Sequence, residues 1–256
     1  MEPYNHSQFI LKPQLAEIEL KVASFAALGD SIVVYSIQND FLNSLFMQLT
    51  GAQEQKSKCI CWMLAQYDLE YRRRRFFDGW NLSECSRLSD KNSVYGDLLN
   101  QTRKVIPDYH IFADIPDKQA FVQSLRSKLF NIFDNTNLVA QRKHEYETFK
   151  EIAQNLNLSN IDGENKLFKD GETDIDKMKD NSPVLLSAIY KLLYVHRNRN
   201  AHNTISYQEN LPDIKNLLNS NVQRYSNIFL YIAELVIIDE IFMRVYKAYL
   251  DAAKAL

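Results

Sequence analysis

The sequence predicts an all-α protein, on three observations. Glycine and proline are scarce, with 6 of each in 256 residues, which favours long uninterrupted helices over turn-rich β architectures. Apolar residues recur every three or four positions along most of the chain, the period of a helix with one buried face. No segment carries the sustained alternation of a half-buried strand, and no internal repeat is evident.

Taken in order, the first element follows a short polar lead. Pro13 suits a first helical turn, and Leu15, Ile18, Val22, Phe25 and Leu28 make one apolar stripe. Gly29-Asp30-Ser31 offers a stop and a new cap, and a second stripe runs from Ile32 through Phe41, Leu45 and Phe46 to Gly51. A third helix is expected from about Gln53 to Phe77, ending at the Asp78-Gly79 turn signal. Between Asn81 and Pro116 the pattern is least regular, with a short helix from Val94 to Val105 and a proline-bounded loop through His110. From Asp117 it resumes: Phe121, Leu125, Leu129 and Phe133 mark one helix, and Leu138, Tyr146, Phe149, Ile152 and Leu156 another.

Leu158 to Asn181 is the longest polar insert, with Asp162-Gly163 and Asp170-Gly171 among further acids. Its order does not fit a D-x-D-x-D-G calcium loop, so it reads as a solvated loop with a lid or partner-binding role open to it. Ser182-Pro183 then caps a helix whose apolar face is Leu185, Ala188, Ile189, Leu192 and Leu193. Pro212 opens a short helix to Leu218, and Val222 to Tyr249 reads as one long helix, apolar enough to serve the core and a partner subunit together.

A net charge of -2 confines any nucleic-acid contact to a local basic patch. Cys59, Cys61 and Cys85 lack zinc-site spacing and read as small buried thiols of a reducing, cytoplasmic compartment. The opening residues show no secretory pattern, and the most apolar windows carry Asn39, Asp40, Glu234 and Asp239, so no membrane span is expected. His144-Glu145 fails as a zinc-protease start because Thr148 stands where the second histidine belongs; Walker, Rossmann and nucleophile-elbow signatures are also missing. No metal and no cofactor is expected.

Chemistry concentrates in Arg197-Asn198-Arg199-Asn200-Ala201-His202, at the end of the apolar helix. Arginine offers a planar fork of donors matched to phosphate oxygens, and histidine exchanges protons near neutrality. Together they suit phosphodiester cleavage without a metal. The arrangement resembles the R-x4-6-H motif of the HEPN superfamily, with Arg197 and His202 as its ends and the polar Asn198 directly after the arginine. Arg103 and His110 also fit that spacing, but Pro107 breaks the helix they would need.

The resemblance implies a HEPN-like helical domain, a homodimer with two motifs facing each other, and metal-independent endoribonuclease activity of the kind found in toxin-antitoxin, CRISPR-linked or phage-defence systems. His202 would exchange the proton, Arg197 stabilise phosphoryl charge, and Asn198 orient a phosphate oxygen or the imidazole. His196 and Arg199 are further candidates for RNA contact. On a straight helix Arg197 and His202 diverge by roughly 140°, so either the helix ends between them or a second subunit supplies the complementary group. An arginine and a histidine at a helix end also serve simply to complement the helix dipole.

Tyr71-Arg72-Arg73-Arg74-Arg75-Phe76-Phe77 is the strongest basic cluster, its arginines flanked by aromatic rings that stack on bases. Four consecutive helical residues cannot all face one ligand, and a solvated or acid-paired segment is the competing reading. The expected organisation is residues 1-116 as helices packed onto a HEPN-like domain at 117-256, or one continuous all-α domain. The expected partners are RNA, a second copy and an antitoxin or defence-system protein. The competing function is a catalytically silent dimeric module that binds RNA, a nucleotide or a protein.

Overall fold

The computed structural model describes residues 5–29, 31–77, 85–111, 117–134, 136–155, 161, 165–168, 186–202 and 220–254. Among these the protein is all-α: α1 His6–Ile10, α2 Gln14–Ala26, α3 Ile32–Tyr67, α4 Leu69–Phe76, α5 Leu88–Val105, α6 Lys118–Phe133, α7 Asn137–Gln141, α8 Lys143–Asn155, α9 Leu186–His202, α10 Ser220–Tyr225 and α11 Ile228–Ala253. An isolated antiparallel bridge between Ile161 and Phe168 is the one β feature among the described residues.

Helix α11 is the axis of the molecule, because its sequence is apolar almost all round and a helix of that kind must be covered on every side. From Ile228 to Asp239 every side chain is buried. The covering is supplied by α2, α3, α5, α6, α8 and α9. The apolar surface expected to serve a partner subunit is therefore occupied by the chain's own helices. One core runs from Ile10 to Leu250 and draws on helices from both sides of residue 116. No helix among the described residues is long and apolar enough to cross a membrane.

Several boundaries differ from expectation for identifiable reasons. Gly51 does not end a helix: α3 passes through it unbroken for 36 residues, held on both sides of the glycine by buried Leu45, Phe46, Leu49 and Ile60. The break comes instead at Asp68, whose side chain accepts from the Tyr71 amide and caps α4. Helix α5 starts at Leu88, six residues before Val94, with the Asp90 carboxylate accepting from the Arg87 amide. The helix expected around Tyr146 is two helices, α7 and α8.

The long terminal helix is likewise broken, at Ser226-Asn227. Asn227 accepts from the Phe229 and Leu230 amides, its own side-chain amide donates to the Glu145 carbonyl, and Glu145 Oε1 accepts from the Ile228 amide. Gly29 does end α2, at a left-handed φ of +73° that favours glycine. The polar insert is not wholly solvated: Ile161, Leu167 and Phe168 are buried, and the Leu167 amide donates to Asn92 Oδ1 on α5. The Asp78-Gly79 turn, most of that insert, the Ser182-Pro183 cap and the helix expected after Pro212 lie outside the described residues.

A buried ion pair fixes the first helices onto this axis. Lys56 of α3 reaches Asp239 of α11 at 2.6 Å and also donates to the Lys12 carbonyl. The second Asp239 oxygen accepts from the Gln14 amide at 2.8 Å. Helix α2 begins after Pro13 and has no side-chain cap of its own, so a carboxylate from a distant helix fills that place.

Candidate active site

Helix α9 is held by its apolar face, where Leu186, Ile189, Tyr190 and Leu193 are buried. It packs against α3, α5 and α11. The same face continues into the motif, so its first residues point inward rather than to solvent. Arg197 is a partly buried side chain, 20% exposed, and its Nη2 donates to Glu54 Oε1 on α3 at 2.9 Å. Its Nη1 donates to Asn198 Oδ1 at 3.2 Å. The guanidinium is thus fixed in one orientation between two helices.

Around it stand polar groups from three elements. Thr50, Gln53 and Glu54 of α3, Ser86 and Lys91 at the start of α5, and Tyr190, Tyr194 and Arg197 of α9 line a small cavity of about 10 Å³. That is room for one water and no organic ligand. Lys91 is fully enclosed, donates to the Cys85 carbonyl at 3.0 Å, and is pushed down by burial to about 8, with the Glu54 charge opposing the shift. Tyr190 donates its hydroxyl to the Ser86 carbonyl at 2.7 Å.

Tyr194 occupies the outer rim. Hydrogen bonds from Asn198 and Arg87 hold its phenol below the ordinary tyrosine value. The rim therefore presents a phenol beside two guanidinium groups and an amide. Such a set can bind a phosphate and carry its developing charge.

His196 faces the other way, into the rings. It meets Phe46 edge-on at 5.1 Å between centroids and Tyr231 at 5.5 Å, and its Nε2 accepts from Asn200 Nδ2 over 3.1 Å. Burial lowers its pKa to about 4, helped by the Arg199 and Arg142 charges. It is a partly buried side chain, neutral at pH 7, with its ring turned toward Phe46 and Tyr231. Arg199 is half-exposed.

The helix does not end inside the motif. It runs unbroken to His202, its last residue, so the backbone positions of Arg197 and His202 are about 140° apart around the axis. Of the two ways to bring them together, a break between them is not the one taken in this chain.

The basic run divides in the same manner. Arg75 points inward, donates to Ser93 Oγ at 3.1 Å and lies 3.6 Å from Asp97, which also accepts from the Tyr71 hydroxyl. It is an interior ion-pair partner and not a surface phosphate contact. Arg72, Arg73 and Arg74 are exposed.

Within electrostatic reach of Tyr190, Glu234 of α11 is fully enclosed, and neither carboxylate oxygen has a hydrogen-bond partner among the described residues. Burial raises its pKa well above the ordinary carboxyl value, which favours the neutral acid over the carboxylate. Glu54, Lys91 and Arg87 were not singled out from sequence, since they come from helices more than a hundred positions before the motif. Tyr194 was not singled out either, although its place three and four residues before Arg197 and Asn198 on one helix face is a local signal that could have found it. The three cysteines are free and buried. Among the described residues no three His, Cys, Asp or Glu side chains group to hold a metal ion.

Comparison with protein-family models, with curated proteins and with solved structures finds no match to this chain.

Proposed function

We propose that the protein is a metal-independent endoribonuclease of HEPN type, acting as a homodimer in a toxin or phage-defence role. The observation that carries this reading is the Arg197 guanidinium, oriented by Glu54 and Asn198 on a helix that is unbroken through His202. A free surface arginine would have to be ordered during the reaction; one already held costs no such reorganisation.

In the reaction the ribose 2′-oxygen attacks the adjacent phosphorus, and the bond to the 5′-oxygen of the next nucleotide breaks. The 2′-hydroxyl proton leaves to a base and the departing 5′-oxygen receives one, giving a 2′,3′-cyclic phosphate and a 5′-hydroxyl. His202 exchanges the proton, Arg197 takes the charge on the phosphoryl oxygens, and Asn198 orients the phosphate. With the helix unbroken, the histidine acting beside a given Arg197 comes from the second subunit.

A second reading, a silent helical module that binds RNA, a nucleotide or a protein, is favoured by one observation: Glu54 already neutralises Arg197. The test separates the two. Purified protein is incubated with structured RNA in EDTA beside Arg197→Ala and His202→Ala, and the fragment ends are analysed. The nuclease reading expects cyclic-phosphate ends from the wild type and a loss of about 10²-fold or more in each variant. Cleavage that survives Arg197→Ala, or none from a folded dimer, gives the module reading precedence.

A further inference from the structure

On the face opposite the buried side of α4, exposed apolar side chains stand beside exposed arginines. Tyr71 and Arg75 set the buried side. The helical rotation then places Leu69, Arg72, Arg73, Phe76 and Phe77 around the outward one. Leu69 is 76% exposed and Phe77 75%. Trp62, on the last turns of α3, is 51% exposed and lies against Phe76 with ring centroids 5.3 Å apart. Lys58 stands one turn before Trp62 on α3. The one acid within α4 is Glu70, and no ion pair among the described residues engages Arg72 or Arg73.

Neither half of this combination is accounted for by the fold. Large exposed rings are a standing cost in water unless something covers them, and arginines beside them repel a second copy of the same face. An occupant that carries flat apolar faces and regularly spaced negative charge satisfies both. We propose that this surface binds single-stranded RNA, with bases stacking on Trp62 and Phe77 and phosphates met by Lys58, Arg72 and Arg73. The choice of RNA over another single strand rests on the nuclease reading above; the stacking and charge argument does not. A protein whose net charge is -2 needs such a local patch to hold a polyanion at all. Duplexes are excluded by chemistry, since paired bases hide the faces that the rings would stack on.

The test is a binding titration, by fluorescence anisotropy, of a labelled unstructured RNA of about a dozen nucleotides, within the usual site size of such surfaces. A perfect duplex of the same sequence is titrated beside it. Trp62→Ala and Phe77→Ala are each expected to weaken single-strand binding roughly 10-fold or more, the loss of one stacked base. Replacing Arg72 and Arg73 together with serine is expected to lower the salt slope of log K by about 1.4, at about 0.7 for each phosphate no longer neutralised. Lys143→Glu, an exposed charge change on α8, controls for net charge.

Wild-type affinity in the Trp62, Phe77 and arginine variants overturns the proposal. So does equal weakening by Lys143→Glu, or a polyglutamate chain binding as tightly as RNA with Trp62→Ala affecting neither, which would mark a dock for an acidic protein. The readout is binding, so the two readings fail separately. A protein that binds through this face yet cleaves nothing sinks the nuclease alone, and Arg197-dependent cleavage with binding indifferent to the face sinks this surface alone.

Discussion

Helix α11 carries two enclosed acids, and the protein treats them in opposite ways. Asp239 is saturated: Lys56 on one oxygen, the Gln14 amide on the other. Glu234, five positions earlier, has no partner on either oxygen. Burial pushes both carboxyls upward, but at Asp239 the Lys56 ammonium and the Gln14 amide pull back, while nothing opposes the shift at Glu234. The first acid is fold, tying α1, α2 and α3 to the axis. The second has no polar partner among the described residues, and it lies within electrostatic reach of Tyr190, which lines the candidate site.

The largest expected effect tests the saturated member. Lys56→Met leaves Asp239 enclosed with no cation and should destabilise the protein by about 3–5 kcal/mol, whereas Lys56→Met with Asp239→Leu should recover much of that loss. Urea unfolding of the two variants measures the difference. A single variant as stable as the wild type would mean that the pair is open to water and that the contrast with Glu234 is not one of pairing.

The orphaned acid should behave in the reverse sense. Glu234→Met removes an unmatched polar group and should stabilise the protein at pH 7 by about 1–3 kcal/mol. The sign of its pH dependence follows from the raised pKa: the folded state holds a proton that the unfolded chain releases above the ordinary carboxyl value of 4.5. Wild-type stability relative to Glu234→Met is therefore greatest below pH 4.5. It falls by up to about 1.4 kcal/mol per pH unit until the folded carboxyl ionises. Unfolding midpoints compared at about pH 4 and pH 8, on either side of that ordinary value, read this directly. Parallel curves would mean that Glu234 is ionised in the folded protein.

This contrast explains what the sequence disclosed. All-α class, the stripes of α2, α6 and α9 and the inward Leu193 were legible because helical periodicity is local. The two partners that define the buried charges were not: Lys56 lies 183 residues from Asp239 and Arg197 lies 143 from Glu54. No short-range pattern encodes such a pairing. The inward turn of His196 and Arg75 was not legible for a related reason, since a residue's type says nothing of which face of its helix is buried. Arg75 is turned inward by its spacing from Tyr71, a four-residue step that becomes readable only once Tyr71 is known to be in the core.

Two of these charged partners come from the same stretch of α3, Glu54 toward the motif and Lys56 toward Asp239, two residues apart and therefore on nearly opposite sides of one helix. Both follow Gly51, through which α3 stays helical although a glycine lowers helix stability by about 0.5–1 kcal/mol relative to alanine. A methyl group built at Gly51 meets nothing within 4 Å, and its backbone is not in the left-handed region. Gly51→Ala should therefore stabilise the protein by about 0.5–1 kcal/mol, a rise of a few degrees or less in Tm for a chain of this size. The gain should persist in the Lys56→Met background, because it belongs to the helix and not to either charge. If alanine instead destabilises, α3 is not a regular helix at Gly51 in solution; if its gain vanishes when Lys56 is replaced, the helix and the buried ion pair are coupled.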